Sequence, residues 1–169
     1  TAKGLSKMRQ NNAIETYISH VQIHDTNFLQ YSRINDTIPQ KTELISYLNS
    51  SKLVNGISKR IKTESFIQSA GGTSGVILNG ISPNNEKNVT LIYQKLNQGN
   101  YFYKYKRKPP IILSQILSTK LNAKINTTVQ CSFINSYGES VICVFKVIDI
   151  FQTNNSLYDE VNAFVKMEA

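Results

Sequence analysis

Two cysteines, Cys131 and Cys143, are the most reactive side chains in the sequence. Each lies on the apolar side of an alternating segment, and a hairpin centred on Tyr137 would place the two cysteines opposite each other. In an oxidising compartment they could form a disulfide if the cross-strand geometry suits one; otherwise they are two buried thiols. No CxxC or Cys/His spacing typical of a metal site accompanies them, and no base partner for a catalytic cysteine is evident.

A second group alternates aromatic and basic side chains over residues 101–108. Such a stretch could stack on nucleic-acid bases, lie at a membrane interface or contact a partner. It could equally be a solvent-exposed loop in which the tyrosine stems pack against the protein. The candidate partner or lipid contacts are Tyr103, Lys104, Tyr105, Lys106, Arg107, Lys108 and, on the predicted hairpin, Tyr137.

Other candidate motifs are incomplete. His20 and His24 could share a metal ion on a helix, but the sequence predicts a strand there and offers no third ligand. The glycine-rich stretch at 71–75 lacks the lysine of a phosphate-binding loop, which favours a flexible turn. No Ser/His/Asp motif or Asp-rich metal loop is visible, so we expect neither an enzyme nor a bound cofactor.

The periodicity of apolar residues predicts a mixed α+β fold. Helices are predicted at 3–18, after Pro39, at 85–96 with Gly99 just past its end, and after a capping Ser114. Strands are predicted at 19–24, 54–67, 76–78, 111–113, 129–133, 141–147 and 161–165, with a hairpin turn at 136–139.

Composition narrows the choice of partners. The chain has 169 residues, a net charge of +8 and 40% hydrophobic residues, which is sufficient for a folded core. A basic surface suits nucleic acid, anionic headgroups or an acidic protein, and charge alone does not choose among them. There is no apolar run of about 18 residues and no visible signal peptide. Because the sequence begins at Thr1, we expect it to be a piece of a longer protein.

Five segments in this order resemble the periplasmic core domain shared by MacB, LolC/LolE and FtsX-type ABC transporter permeases. The matching segments are the strand at 20–23, the turn at 78–83 (Leu-Asn-Gly-Ile-Ser-Pro), the element at 96–102 (Leu-Asn-Gln-Gly-Asn-Tyr-Phe), the strand and helix at 110–121, and the strand at 145–153 followed by Asp159. Asp149 stands where the family pattern has glycine.

The resemblance implies a two-lobed fold, with a porter-like base lobe at about 1–70 and 157–169 and an inserted, strand-rich sabre-like lobe at about 71–156. It also implies membrane helices outside this chain, one before it and three after it. The implied partners are a second permease copy, a cytoplasmic ATPase and a periplasmic protein or lipoprotein substrate. The implied location is the periplasmic face of a bacterial inner membrane.

The short predicted hairpin tip, about Asn135 to Glu139, lacks the long proline-containing hook of LolC-type permeases. This favours a LolE-like, MacB-like or generic FtsX-like role in lipoprotein release or efflux-type mechanotransmission. Two alternatives stay open: an FtsX-like module that regulates a cell-wall hydrolase, and a basic nucleic-acid-binding domain. Since the basic residues outside 104–108 are dispersed along the chain, we do not expect a nucleic-acid partner.

Overall fold

The structure is a computed structural model that describes residues 7, 10, 11, 13–31, 34–39, 42–102 and 108–168. The helical elements are α1 (Ile14–Ile18, a π-helical segment), α2 (Phe28–Tyr31), α3 (Thr42–Ser50), α4 (Pro83–Glu86), α5 (Gln115–Lys120) and α6 (Ser156–Val161), with a 3-10 turn at Ile92–Lys95. The strands are β1 (Arg60–Ser69), β2 (Gly72–Ile81), β3 (Pro110–Ser114), β4 (Thr128–Ile134), β5 (Ser140–Phe151) and β6 (Asn162–Lys166).

The six strands form one closed barrel in the order β1-β2-β6-β3-β5-β4. Pairings β2–β6 and β3–β5 are parallel, whereas the other four are antiparallel. Alternate side chains of each strand therefore point into the barrel. The interior core includes Ile67, Val76, Leu113, Val129 and Phe145. Leu117 of α5 and Leu121, which directly follows this helix, also belong to this core.

A second apolar cluster covers part of the outside of the barrel. It joins Ile81, Ile112, Phe151 and Phe164 to Ile92, Tyr101 and Phe102 from the segment between β2 and β3. A register shift makes it possible: Ile111 pairs with Val147 but Ile112 pairs with Asp149, so Ile148 is an extra residue in β5. Such a bulge changes which side chains face inward and supplies the outer cluster with Ile148.

A buried ion pair fastens α1 to the barrel. Arg60 Nη2 lies 2.5 Å from Glu86 Oε1, and Arg60 Nη1 donates to the carbonyl oxygen of Tyr17 at 2.9 Å. The hydroxyls of Ser58 and Thr90 also donate to the Glu86 carboxylate, at 2.6 and 2.8 Å. Burial by itself would raise the pKa of Glu86, but these hydrogen bonds and the Arg60 charge hold that pKa below its ordinary value.

The mixed α+β class is confirmed, as are the strands predicted at 111–113, 129–133, 141–147 and 161–165, which are β3, β4, β5 and β6. The predicted cap is also confirmed, because Ser114 Oγ accepts a hydrogen bond from Leu117 N at 3.0 Å. The described part of the N-terminal prediction is helical at α1, and α3 lies where a helix was predicted after Pro39.

The strand predicted at 19–24, including the family-like residues 20–23, is wrong. Residues 21–25 have no regular secondary structure, and Val21 is 77% exposed. A segment with alternating apolar residues forms a strand only where it can pair with another strand and bury its apolar face. Residues 21–25 do not pair with any described strand, and the side chain of Val21 is not buried.

Two further expectations need correction. The helix predicted at 85–96 is instead α4 followed by the 3-10 turn, because Leu91 N donates to the carbonyl oxygen of Glu15 rather than continuing a helix. The glycine stretch at 71–75 is mostly strand, since β2 begins at Gly72. A Cβ at Gly71 would lie 2.5 Å from the Asn122 Cβ, so this glycine permits close packing rather than flexibility.

The barrel does not divide where the resemblance places lobe boundaries. Strands β1 and β6 belong to the predicted base lobe, yet they pair with β2 and β3 from the predicted inserted lobe. The two-lobed arrangement is therefore not confirmed, and the described strands form a single sheet. No described helix is both long enough and apolar enough to cross a bilayer.

Candidate functional site

The β4–β5 hairpin projects from the barrel. The first residue of β3, Pro110, pairs with Lys146, so residues 140–145 of β5 extend past β3 and pair, among the described strands, with β4 alone. Strand β1 pairs with β4 only at Phe66–Gln68, and Ser65 Oγ also donates to the carbonyl oxygen of Ser132 at 3.0 Å. Residues 133–145 are called the arm below; within it Phe145 belongs to the interior core, and Phe133 and Cys143 are partly buried against that core.

The tip of the arm is held by Asn135. Its Oδ1 accepts hydrogen bonds from Tyr137 N at 2.9 Å and Glu139 N at 3.0 Å, and its Nδ2 donates to Glu139 Oε2 at 3.0 Å. Gly138 completes the turn at φ 82°, a left-handed conformation that glycine adopts without strain. The predicted hairpin is confirmed, and Tyr137 at its tip is 86% exposed.

The outer surface of the sheet beside the arm is apolar. Phe66 on β1 is 71% exposed, and it lies opposite Ser132 of β4, which lies opposite Ile142 of β5. Ile134 and Val144 are exposed on the same side of the sheet. These four residues, Phe66, Ile134, Ile142 and Val144, are called the apolar face below. Exposed apolar side chains that lie next to one another are typical of surfaces that contact another molecule.

The basic residues are only partly described. Lys108 is exposed, and its Nζ donates to Thr128 Oγ1 at 3.3 Å, at the root of the arm. Tyr103, Lys104, Tyr105, Lys106 and Arg107 lie outside the described residues. Among the candidate contacts that are described, the structure places Lys108 at the root of the arm and Tyr137 at its tip, so it does not bring the two together.

The residues that precede this basic stretch are fixed by Asp149, which sequence reasoning did not identify as a functional residue. Its carboxylate accepts hydrogen bonds from Gln98 N at 3.1 Å and Asn100 N at 2.7 Å, while Tyr101 and Phe102 are buried. Asp149 and the burial of Tyr101 and Phe102 therefore fix the chain up to residue 102. The signal in the sequence was a single carboxylate in the otherwise apolar run from Val147 to Phe151.

Cys131 and Cys143 are directly opposite each other in the β4–β5 ladder, as the hairpin predicted. Both are free thiols in this structure. Cys131 is fully buried and Cys143 partly so, and burial raises the pKa of the Cys131 thiol to about 12. Directly opposite residues of an antiparallel pair lie about 4.5–5.5 Å apart at Cα, within the range that a disulfide spans. The bridge stays a prediction, since both thiols are free here.

Two concave sites lie away from the apolar face. A groove of about 330 Å³ runs between α1 and the start of α6, lined by Thr16, Tyr17, Asn154, Asn155 and Leu157. A smaller apolar cavity of about 110 Å³ opens at the end of the barrel where β1 begins, and its lining includes Ile61, Phe133 and Cys143. Within the described ranges no cluster of three or more His, Cys, Asp or Glu side chains could hold a metal ion.

A scan against protein-family models gave no match, and a search of curated proteins gave none either. Among solved structures, the chain is similar to the extracellular domain of the noncanonic ABC-type transporter YknZ from Gram-positive bacteria, at 15% sequence identity and a TM-score of 0.47. That similarity covers 75% of this chain and 62% of the other, so this chain spans less than two thirds of the solved domain.

Proposed function

We propose that this chain is the extracytoplasmic domain of an ABC transporter permease and that it acts by contacting another protein. The observation that carries the proposal is the arm, which presents an apolar face and an exposed aromatic tip from a closed barrel. The ordered family-like segments in the sequence supply the transporter context. Four of these five segments lie on elements that build the barrel or its outer cluster: residues 78–83, 96–102, 110–121 and 145–153.

In this proposal the chain carries no catalytic step, and ATP is hydrolysed on a separate cytoplasmic subunit. Helices outside this chain would relay closure of the ATPase to the barrel, shifting the population of a two-state element. The fastening of α1 by Arg60 and Glu86 supports such a relay, because a segment held by buried hydrogen bonds moves together with the barrel. The finer role, whether lipoprotein release, efflux-type mechanotransmission or control of a cell-wall hydrolase, depends on which partner the arm contacts.

Co-purification tests the proposal. The full-length gene product would be extracted from membranes in mild detergent, and the proteins that accompany it identified by mass. Recovery of a subunit with a Walker nucleotide-binding motif supports the permease assignment, and a soluble full-length product without an ATPase contradicts it. A cell-wall hydrolase or lipoprotein among the other recovered proteins would identify the finer role.

A further inference from the structure

Two Asn-Gly pairs occur in the sequence, Asn55-Gly56 and Asn79-Gly80. Asparagine followed by glycine can lose ammonia without an enzyme, because glycine has no side chain to keep its backbone nitrogen from the preceding side-chain carbonyl carbon. The reaction needs a backbone that can turn this nitrogen onto the carbon, and it needs water to complete it. The fold therefore decides which of the two pairs reacts.

Asn79 is held inside the sheet. It lies in β2 and is 1% exposed, and its Nδ2 donates to Asn162 Oδ1 at 2.9 Å and lies 3.1 Å from two backbone carbonyl oxygens. Gly80 has a strand neighbour on each side, in β1 and in β6. A residue paired on both sides cannot turn its nitrogen onto the preceding side chain without breaking the ladder. The folded chain therefore protects Asn79 from the attack and from water.

Asn55 lies in the opposite environment. Residues 54–59 have no regular secondary structure, and the Asn55 side chain is exposed to solvent. Neither this side chain nor the N–H of Gly56 makes a hydrogen bond with any residue of the described ranges. An exposed segment with few hydrogen bonds opens locally at little cost in free energy. The backbone at Asn55 can therefore reach the reactive geometry while the barrel stays folded.

Close packing requires glycine at position 56. A Cβ there would lie 2.7 Å from the backbone oxygen of Asn88 and 2.9 Å from the Asn88 Cβ, closer than carbon atoms of a side chain can come. Any other residue would push the segment that leads into β1 away from the end of α4. The residue that makes Asn55 reactive is therefore one that the packing of this segment needs.

We infer that Asn55 is a modification site, at which the folded chain deamidates, and that Asn79 is not. Gly56 N bonds to Asn55 Cγ and gives up its proton, the bond from Cγ to Nδ2 breaks, and the nitrogen leaves as ammonia. Water then opens the cyclic imide at either carbonyl carbon. Opening at Cγ gives aspartate, whereas opening at the main-chain carbon gives isoaspartate, in which the backbone runs through the side chain. Either product lowers the net charge of +8 by one.

Peptide mapping of this chain by mass spectrometry tests the inference. One sample is incubated folded at mildly alkaline pH, and a second in guanidinium chloride, where both pairs are accessible. Asn79 can react only in unfolded molecules, about one in a thousand or fewer, so folding should slow its deamidation about a thousandfold or more. Folding should slow deamidation of Asn55 less than about tenfold. A stronger slowing at Asn55, or a similar slowing at both asparagines, overturns the inference.

Ion-exchange chromatography of the folded chain gives a second readout with matched variants. Incubation should produce an acidic species, and Asn55→Gln should remove it, because glutamine would have to close a larger ring that forms more slowly. Asn49→Gln changes another exposed asparagine, in α3, and should leave the acidic species as in the parent. An acidic species that forms equally in Asn55→Gln overturns the inference. Both experiments need neither a membrane nor an ATPase, so their outcome is independent of the permease test.

Discussion

Glu86 is the residue at which removal of one charge should cost the most stability. Its side chain is fully buried and is compensated by Arg60, whose own side chain is nearly buried. Removing one partner of a buried pair leaves the other uncompensated and costs about 3–5 kcal/mol. We expect this loss in the free energy of unfolding for Glu86→Gln, measured in urea. The exposed Glu64→Gln on the same barrel should change it by less than about 0.5 kcal/mol, and equal effects would contradict this account.

The same pair predicts a pH dependence. Because the pKa of Glu86 lies below its ordinary value of 4.5 in the folded chain, its ionised form stabilises the fold at pH values above 4.5. That contribution is lost as the pH falls below 4.5 and through the lower folded pKa. The parent should therefore lose more stability between pH 6 and pH 3 than Glu86→Gln does, as measured by urea unfolding across that range. Parallel pH profiles would show that the ion pair does not contribute.

The cysteines give a test at single-residue resolution. With its pKa raised to about 12, the Cys131 thiol forms almost no thiolate near neutral pH, so iodoacetamide should label the less buried Cys143 first. In a separate sample that has not been alkylated, oxidised glutathione should convert the pair into one internal disulfide: Cys143 exchanges with it and releases one reduced glutathione, and Cys131 then displaces the second. Mass spectrometry of the intact chain measures both steps, and Cys131→Ser is the control that cannot close. Two free thiols after oxidation would contradict the cross-strand pairing.

At the scale of elements, the arm should contribute contact rather than stability. Tyr137 lies at its tip and is 86% exposed, so Tyr137→Ala should change the free energy of unfolding by less than about 0.5 kcal/mol while reducing the amount of partner recovered with the full-length protein. Leu157→Ala is a matched control, because Leu157 is 77% exposed on α6, away from the arm. If the same amount of partner is recovered with Tyr137→Ala as with the parent, the tip of the arm does not contact the partner.

The sequence predicted the elements whose pattern is local. The alternation at 129–133 and 141–147 with a turn between them specified the β4–β5 hairpin and the opposition of its cysteines. The failures at 20–23 and 85–96 have another cause: their apolar spacing fitted a strand and a helix, but the neighbours available in the fold decided their structure. Arg60 contacts Glu86, which lies 26 positions away, and Asp149 contacts Gln98 and Asn100, which lie up to 51 positions away. Contacts between residues so distant in sequence cannot be predicted from the periodicity of apolar residues.

For the whole molecule, closure of the barrel joins strands from both predicted lobes in one sheet. β6 lies between β2 and β3, so the C-terminal strand completes the sheet that β1 begins. The interior core and the outer cluster then share the same strands, and a displacement of α1 would reach the arm through β1 and β4. This continuity is what the permease proposal requires of a domain that relays movement.

The location of the arm is the central claim, and thiol labelling in intact cells tests it most directly. The full-length protein would carry Tyr137→Cys together with Cys131→Ser and Cys143→Ser, and cells that express it would be treated with a membrane-impermeant maleimide. The account predicts labelling in intact cells, equal to that after lysis. Labelling only after lysis would place the arm in the cytoplasm and would contradict the assignment to an extracytoplasmic permease domain.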